Sequence, residues 1–126
     1  MSVRIKAGEA ISARELMALL DWRQRFITET AAAMEGFDGM LMPTVAITPP
    51  PIETLDDDEA YYRTNRLVLR NTSIINSLDG CALSIPMHRP DELPMGLMVS
   101  GLPMQDERIL SVGLTIEQIL QPALRR

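Results

Sequence analysis

Three side chains of types that carry chemistry occur only once in this sequence: Lys6, Cys81 and His88. Nucleophilic catalysis needs a nucleophile beside a base that a third group orients. His88 lies in a polar segment beside Arg89, whose positive charge would lower the basicity of the ring. Cys81 lies in an apolar segment, whereas a reactive thiol needs a positive neighbour or a helix N-terminus. We therefore expect a surface histidine, a core cysteine and a solvated lysine rather than a catalytic set.

Metal and phosphate chemistry are also disfavoured by the residue types. One cysteine and one histidine cannot complete a four-ligand zinc site. None of the seven glycines forms a closely spaced series that could cradle a phosphate. The acidic run at residues 56–59 is interpreted as capping and first-turn charge for a helix, and a metal cluster is the alternative. We predict no cofactor and no metal.

Composition limits the class of protein further. The chain has 126 residues, of which 46% are hydrophobic and 23% charged, as expected for one globular domain. Its net charge of -5 disfavours a nucleic-acid partner, because phosphate binding needs clustered Lys and Arg. The charged start of the sequence predicts no signal peptide, and no run of apolar residues reaches the roughly 20 that a membrane span needs. With Cys81 as its only cysteine, we predict a cytoplasmic protein that binds neither nucleic acid nor membrane.

The pattern along the chain predicts helices alternating with short buried strands. Ser12 and Glu15 have the types and spacing of a capping box, and Gly36 suits the left-handed position after a helix. Pro122 is expected to end the last helix. Helices are predicted at residues 12–35, 59–69, 72–78 and 106–120, and strands at 39–43, 81–86 and 95–102. The order indicates an α/β fold with helices around a short mixed sheet of about three strands.

The predicted strands are almost continuously apolar. Such strands are typical of sheets that are buried on both faces. A sheet of only three strands leaves its edges exposed, and exposed edges pair readily with more sheet. The strands therefore suggest that the chain forms part of a larger assembly.

Several segments resemble the amidase-signature hydrolases and follow one another in that family's order. They are Arg4-Ile5, Gly8, Ile11 to Ala13 and the Arg23-containing helix; Asp38 to Thr44; Arg70 to Ser73 with Asn76; Ala82 to Pro86; Leu93 to Leu97; and Asp106 to Leu110. The resemblance runs nearly end to end and corresponds to the C-terminal region of the family. The chain departs from the common pattern at Cys81 and at Met98, which indicates a subfamily variant.

The resemblance implies that residues 1–126 form a single C-terminal segment of an amidase-type domain and part of that family's larger mixed sheet. The family hydrolyses linear amides with a serine nucleophile, a second serine on a cis peptide and a base lysine, and no residue here matches that set. The implied function is a C-terminal scaffold and substrate-pocket wall of an amide hydrolase, inactive alone and without a catalytic residue. The substrate-pocket candidates are Thr44, Cys81 and Ser84.

Two other functions stay open. The chain could be a stand-alone, non-enzymatic interaction module that oligomerises through its open sheet edges. It could also be a small enzyme that uses Cys81 or His88 in a new role. The expected partner is accordingly either the remainder of an amidase polypeptide or a second copy of this chain.

Overall fold

A computed structural model describes residues 5–6 and 8–124. The chain divides into two compact units, residues 1–33 and 34–126. The helices and strands, numbered in chain order, are α1 (Ala13–Ala33), β1 (Met40–Pro43), α2 (Asp58–Ser77), β2 (Cys81–Pro86), β3 (Gly96–Gly101) and α3 (Asp106–Leu124), with short 3-10 helices at Gly8–Ala10 and Ile52–Leu55. No helix in the described part of the chain is long and apolar enough to cross a membrane.

The first unit contains α1, which begins at the predicted capping box. The backbone N–H of Ser12 donates to Glu15 Oε2 over 2.8 Å, and the backbone N–H of Glu15 donates to Ser12 Oγ over 3.3 Å. The Ser12 hydroxyl donates to the same carboxylate oxygen over 2.7 Å. This side-chain hydrogen bond, followed by the backbone one, lowers the pKa of Glu15, because both favour the charged carboxylate. The capping box is confirmed.

The second unit holds a three-stranded sheet in the order β1-β3-β2. β3 pairs antiparallel with both neighbours, with Met98 opposite Met42 on one side and opposite Ser84 on the other. The α/β class and the three strands are therefore confirmed. Every described pair is antiparallel, so a mixed sheet requires strands beyond those described.

On one face of the sheet, α3 lies over β2 and β3. Ile109 of α3 forms the core with Ile85 of β2 and Val99 of β3. The expected burial on both faces holds only for the central strand, where Met98 and Val99 on opposite faces are both buried. The two edge strands instead alternate between more and less exposed residues. Leu83 of β2 packs against the core under α3, whereas Leu41 of β1, on the same face, is 58% exposed.

Two predicted helix boundaries are wrong. α2 is continuous from Asp58 to Ser77, whereas the sequence suggested a break after Leu69. Asn71, in the predicted gap between the two helices, lies buried within α2, and its side-chain amide donates to the carbonyl oxygen of Pro43. α3 likewise continues past Pro122 to Leu124, since a proline so near a helix end disturbs few backbone hydrogen bonds.

Candidate functional site

Two of the three predicted pocket residues meet in the structure. Thr44 directly follows β1 and Ser84 lies in β2, and their hydroxyl oxygens are 2.6 Å apart. The backbone holds them together, because the N–H of Thr44 donates to the carbonyl of Gly96 over 2.8 Å and Gly96 opens the central strand. In the described part of the chain, neither hydroxyl is hydrogen-bonded to a histidine or lysine. The pair can therefore donate and accept hydrogen bonds, but it has no adjacent base that would make it a nucleophile.

Gly96 explains why the two hydroxyls can approach each other. A Cβ atom at Gly96 would lie 2.5 Å from Ser84 Oγ and 2.7 Å from Thr44 Oγ1. Any side chain at this position would therefore displace the pair. The glycine keeps the space above the hydroxyls free.

A cavity of about 240 Å³ opens beside this glycine. Its lining is mostly apolar, and it is formed by Pro43, Val45, Ala46, Ile47, Thr48, Met87, Met95 and Gly96. Gly96 lines the cavity and also lies against the hydroxyl pair, although neither Thr44 nor Ser84 lines the cavity itself. A small neutral group could enter the cavity while a polar atom of the same molecule met the hydroxyls.

The loop after β1 separates this cavity from a second one of about 390 Å³. Val45, Ile47 and Thr48 line both cavities. The second cavity is also lined by Leu55 and by residues of α2, including Tyr61. Three consecutive prolines, at residues 49–51, restrict the backbone of this loop. The loop is therefore a rigid segment between the two mostly apolar cavities.

Cys81, the third predicted pocket residue, lies away from the hydroxyl pair. Successive side chains of a strand point to opposite faces, so Cys81 and Ser84, three residues apart, lie on different faces of β2. Cys81 packs with the core under α3, and its thiol donates to the carbonyl of Leu102 at 3.5 Å. The expected core role of this cysteine is confirmed.

His88 joins the ends of β2 and β3. Its Nδ1 accepts a hydrogen bond from the backbone N–H of Met95 over 3.2 Å. The ring is half-buried rather than fully at the surface. This contact gives His88 a structural role in closing the hairpin.

The acidic run serves the helix, as predicted. Asp57 is the N-cap of α2, and its side chain accepts from the N–H of Ala60 over 2.7 Å. Asp58 and Glu59 lie in the first turn, where negative charge is favourable. Within residues 5–6 and 8–124, no group of three His, Cys, Asp or Glu side chains could hold a metal ion.

Sequence reasoning did not find Gly96 or the two cavities. The signals are present in retrospect: Gly96 lies at the start of the predicted strand, and the prolines mark a rigid loop. The distance between Thr44 and Ser84 could not be read from the sequence, because it depends on β3 pairing between their strands.

The fold and site define a class, namely an α/β protein with a three-stranded antiparallel sheet and a mostly apolar cavity near a threonine–serine hydroxyl pair. A family model described as Amidase matches residues 1–110, and the chain belongs to the amidase family. It is 30% identical to the 2-amino-5-chloromuconic acid deaminase of Comamonas testosteroni over 118 residues, which are 93% of this chain and 26% of that protein.

Two further comparisons agree. The chain is 27% identical to the indoleacetamide hydrolase of Allorhizobium ampelinum over 97 residues, which are 74% of this chain and 21% of that protein. A crystal structure of an amidase superimposes on 90% of this chain with a TM-score of 0.70 and 23% identity, and the match covers 27% of that protein. The chain thus spans about a quarter of the length of these relatives.

Proposed function

We propose that this chain forms the scaffold and one wall of the substrate pocket of an amide hydrolase, and that it does not hydrolyse amides alone. Membership of the amidase family supports the reaction class. The observation that carries the proposal is the Thr44–Ser84 hydroxyl pair, whose oxygens are 2.6 Å apart beside Gly96, a residue that also lines the cavity of about 240 Å³.

The roles proposed for these residues are binding and orientation. Amide hydrolysis adds water across the C–N bond and yields a carboxylic acid and an amine, so another part of the enzyme must supply the nucleophile and base. The hydroxyls of Thr44 and Ser84 would bond to a polar group of the substrate. The apolar loop beside them, residues 45–48, would contact its side chain. Such placement lowers the barrier by fixing the reacting geometry.

The pocket-wall role is tested in a chimera in which this chain replaces the matched fifth of the indoleacetamide hydrolase. Ammonia release from indole-3-acetamide is measured against substrate concentration. Thr44→Val and Ser84→Ala should each raise KM by about 2- to 12-fold, which corresponds to one lost hydrogen bond of about 0.5–1.5 kcal/mol.

The matched control is Thr115→Val, because the Thr115 hydroxyl only bonds to the Ser111 carbonyl within α3. It should leave KM unchanged. Equal KM values for the chimera and its Thr44 and Ser84 variants would remove the hydroxyl pair from the substrate pocket.

A second candidate function is the stand-alone interaction module. The observation in its favour is a sheet whose edge strands, β1 and β2, each pair with β3 on one side only among the described residues. An edge whose backbone donors and acceptors are unpaired is a template for another strand. A well-folded monomer at high concentration would count against this function.

A further inference from the structure

The outer edge of β1 is largely closed to a further strand. The hydrogen bond from Thr44 to Gly96, together with the register, shows that Met40 and Met42 direct their backbone groups toward β3. Leu41 and Pro43 therefore direct theirs outward. Pro43 has no N–H, and its carbonyl already accepts from Asn71 Nδ2 over 2.7 Å. Only Leu41 offers a donor and an acceptor at this edge.

The outer edge of β2 is open. The Met87 N–H donates to the Met95 carbonyl over 3.0 Å, and this register makes Leu83 and Ile85 face β3. Ala82 and Ser84 therefore direct their N–H and C=O groups outward. None of these four groups has a backbone partner among the described residues. They are the largest group of unpaired backbone donors and acceptors at the two described edges of the sheet.

An exposed apolar flank of α3 lies on the same side as this open edge. Arg108 reaches back to Asp38 and the carbonyl of Phe37, just before β1, so its flank of α3 faces β1. An α-helix turns by about 100° per residue. Viewed along the axis, Leu110 and Leu114 are therefore rotated by about 200° and about 240° from Arg108, which places them on the opposite flank of α3. They are 54% and 59% exposed, so two large apolar side chains lie uncovered on this flank.

We propose that the open edge of β2 pairs with β2 of a second copy of this chain, which forms a two-fold symmetric dimer with a continuous six-stranded sheet. If the two-fold axis of the dimer passes beside Leu83, Ala82 of each copy lies opposite Ser84 of the other copy. All four outward groups of each copy then find a partner in the antiparallel pattern. Because the β1 edge is largely closed, the association stops at two copies.

The position of α3 is compatible with the same two-fold axis. α3 lies over both β2 and β3, because its Gly113 faces Leu83 and its Ile109 faces Gly101. A two-fold axis perpendicular to the sheet puts both copies of α3 on one face. With strands spaced about 4.8 Å apart, the two helices would lie about 10 Å apart, a distance at which helices pack. Leu114, next to Gly113, would then meet the partner's copy of the same leucine.

The proposal is tested by sedimentation velocity on the full chain under reducing conditions, from about 1 µM to about 1 mM, a range that spans weak to moderate association. Ala82→Pro removes one outward N–H, and Leu114→Asp puts two carboxylates at the axis. Each should weaken dimerisation at least 10-fold. Leu41→Pro removes an outward N–H at the β1 edge. Ile119→Asp changes a residue on the Arg108 flank of α3, because eleven residues bring the helix back to within about 20° of Arg108. These two controls should leave the dimer intact.

A monomer at every concentration would overturn the proposal, as would a dimer that Leu41→Pro weakens as much as Ala82→Pro. If Ala82→Pro does not fold by circular dichroism, amide exchange of the unmodified chain decides. The N–H groups of Ala82 and Ser84 should exchange at least 10-fold more slowly at high than at low concentration, while that of Leu41 stays the same. Exchange that is independent of concentration at all three positions contradicts the dimer. None of these results depends on amide hydrolysis, so the pocket-wall proposal stands or falls separately.

Discussion

Replacing Gly113 with alanine should reveal how closely α3 approaches the sheet. In an exposed helix interior, Gly→Ala stabilises a protein by about 1 kcal/mol because it restricts the unfolded chain. At Gly113, however, the new Cβ would overlap Cδ2 of Leu83 and lie 3.5 Å from its Cγ. Moving a packed leucine costs about 1–3 kcal/mol. Gly113→Ala should therefore lower the free energy of unfolding by between about zero and 2 kcal/mol instead of raising it.

A double-mutant cycle isolates this contact. Leu83→Ala removes the overlapping atoms, so in that background Gly113→Ala should recover its stabilisation of about 1 kcal/mol. The expected coupling between the two sites is therefore about 1–3 kcal/mol, which is typical of residues in contact.

The assay is urea denaturation of the four chains, followed by far-ultraviolet circular dichroism. The midpoints should shift while the slope stays constant, because the surface exposed on unfolding hardly changes. If Gly113→Ala stabilised both backgrounds equally, α3 would not contact Leu83 and the packing described above would be refuted.

Three further predictions concern hydrogen bonds in the described part of the chain. Asn71→Ala should destabilise the chain by about 1–2 kcal/mol in urea denaturation, because it removes the bond from a buried amide to the Pro43 carbonyl. Ser100→Ala should raise the free energy of unfolding by about 1 kcal/mol, since the buried Ser100 hydroxyl has no hydrogen-bond partner among the described residues. Ser12→Ala should raise the pKa of Glu15 toward its ordinary value in an NMR titration, because the bonds that lower it come from Ser12.

The same predictions carry their own controls. Asn76→Ala changes an exposed asparagine of α2 and should leave the free energy of unfolding within about 0.5 kcal/mol of its original value. An equal loss of stability in the Asn71 and Asn76 variants would show that the hydrogen bond to Pro43 is not the cause. Destabilisation by Ser100→Ala would show that its hydroxyl has a partner. With Ser12 present, the lowered pKa means that the stabilisation by Glu15 is complete above its ordinary pKa and is lost as pH falls through the lowered one. A helix start that loosens as pH rises instead would contradict the capping box.

The local features of the fold could be predicted from sequence because they depend on neighbouring residues. Ser12 and Glu15 are three positions apart, and the structure joins them as the spacing requires. Gly36 adopts a φ of 83°, as expected after a helix. The acidic cap of α2 follows for the same reason.

What could not be predicted depends on contacts between distant parts of the chain. The sequence predicted a gap between helices at residues 59–69 and 72–78, yet α2 runs through it and the Asn71 amide donates to the carbonyl of Pro43, 28 residues earlier. The resemblance gave Thr44, Cys81 and Ser84 as pocket candidates without relating their positions, and strand alternation places Cys81 on the opposite face of β2 from Ser84. The cytoplasmic location and the lack of a nucleic-acid partner stay predictions.

The most direct test of the pocket-wall proposal compares ammonia release from indole-3-acetamide by the 126-residue chain and by its chimera with the indoleacetamide hydrolase. The chimera should hydrolyse the amide, while the chain alone should release no ammonia above a buffer blank. Turnover by the purified chain that is lost in Cys81→Ala or His88→Ala would contradict the proposal, because it would place a nucleophile or base within this chain.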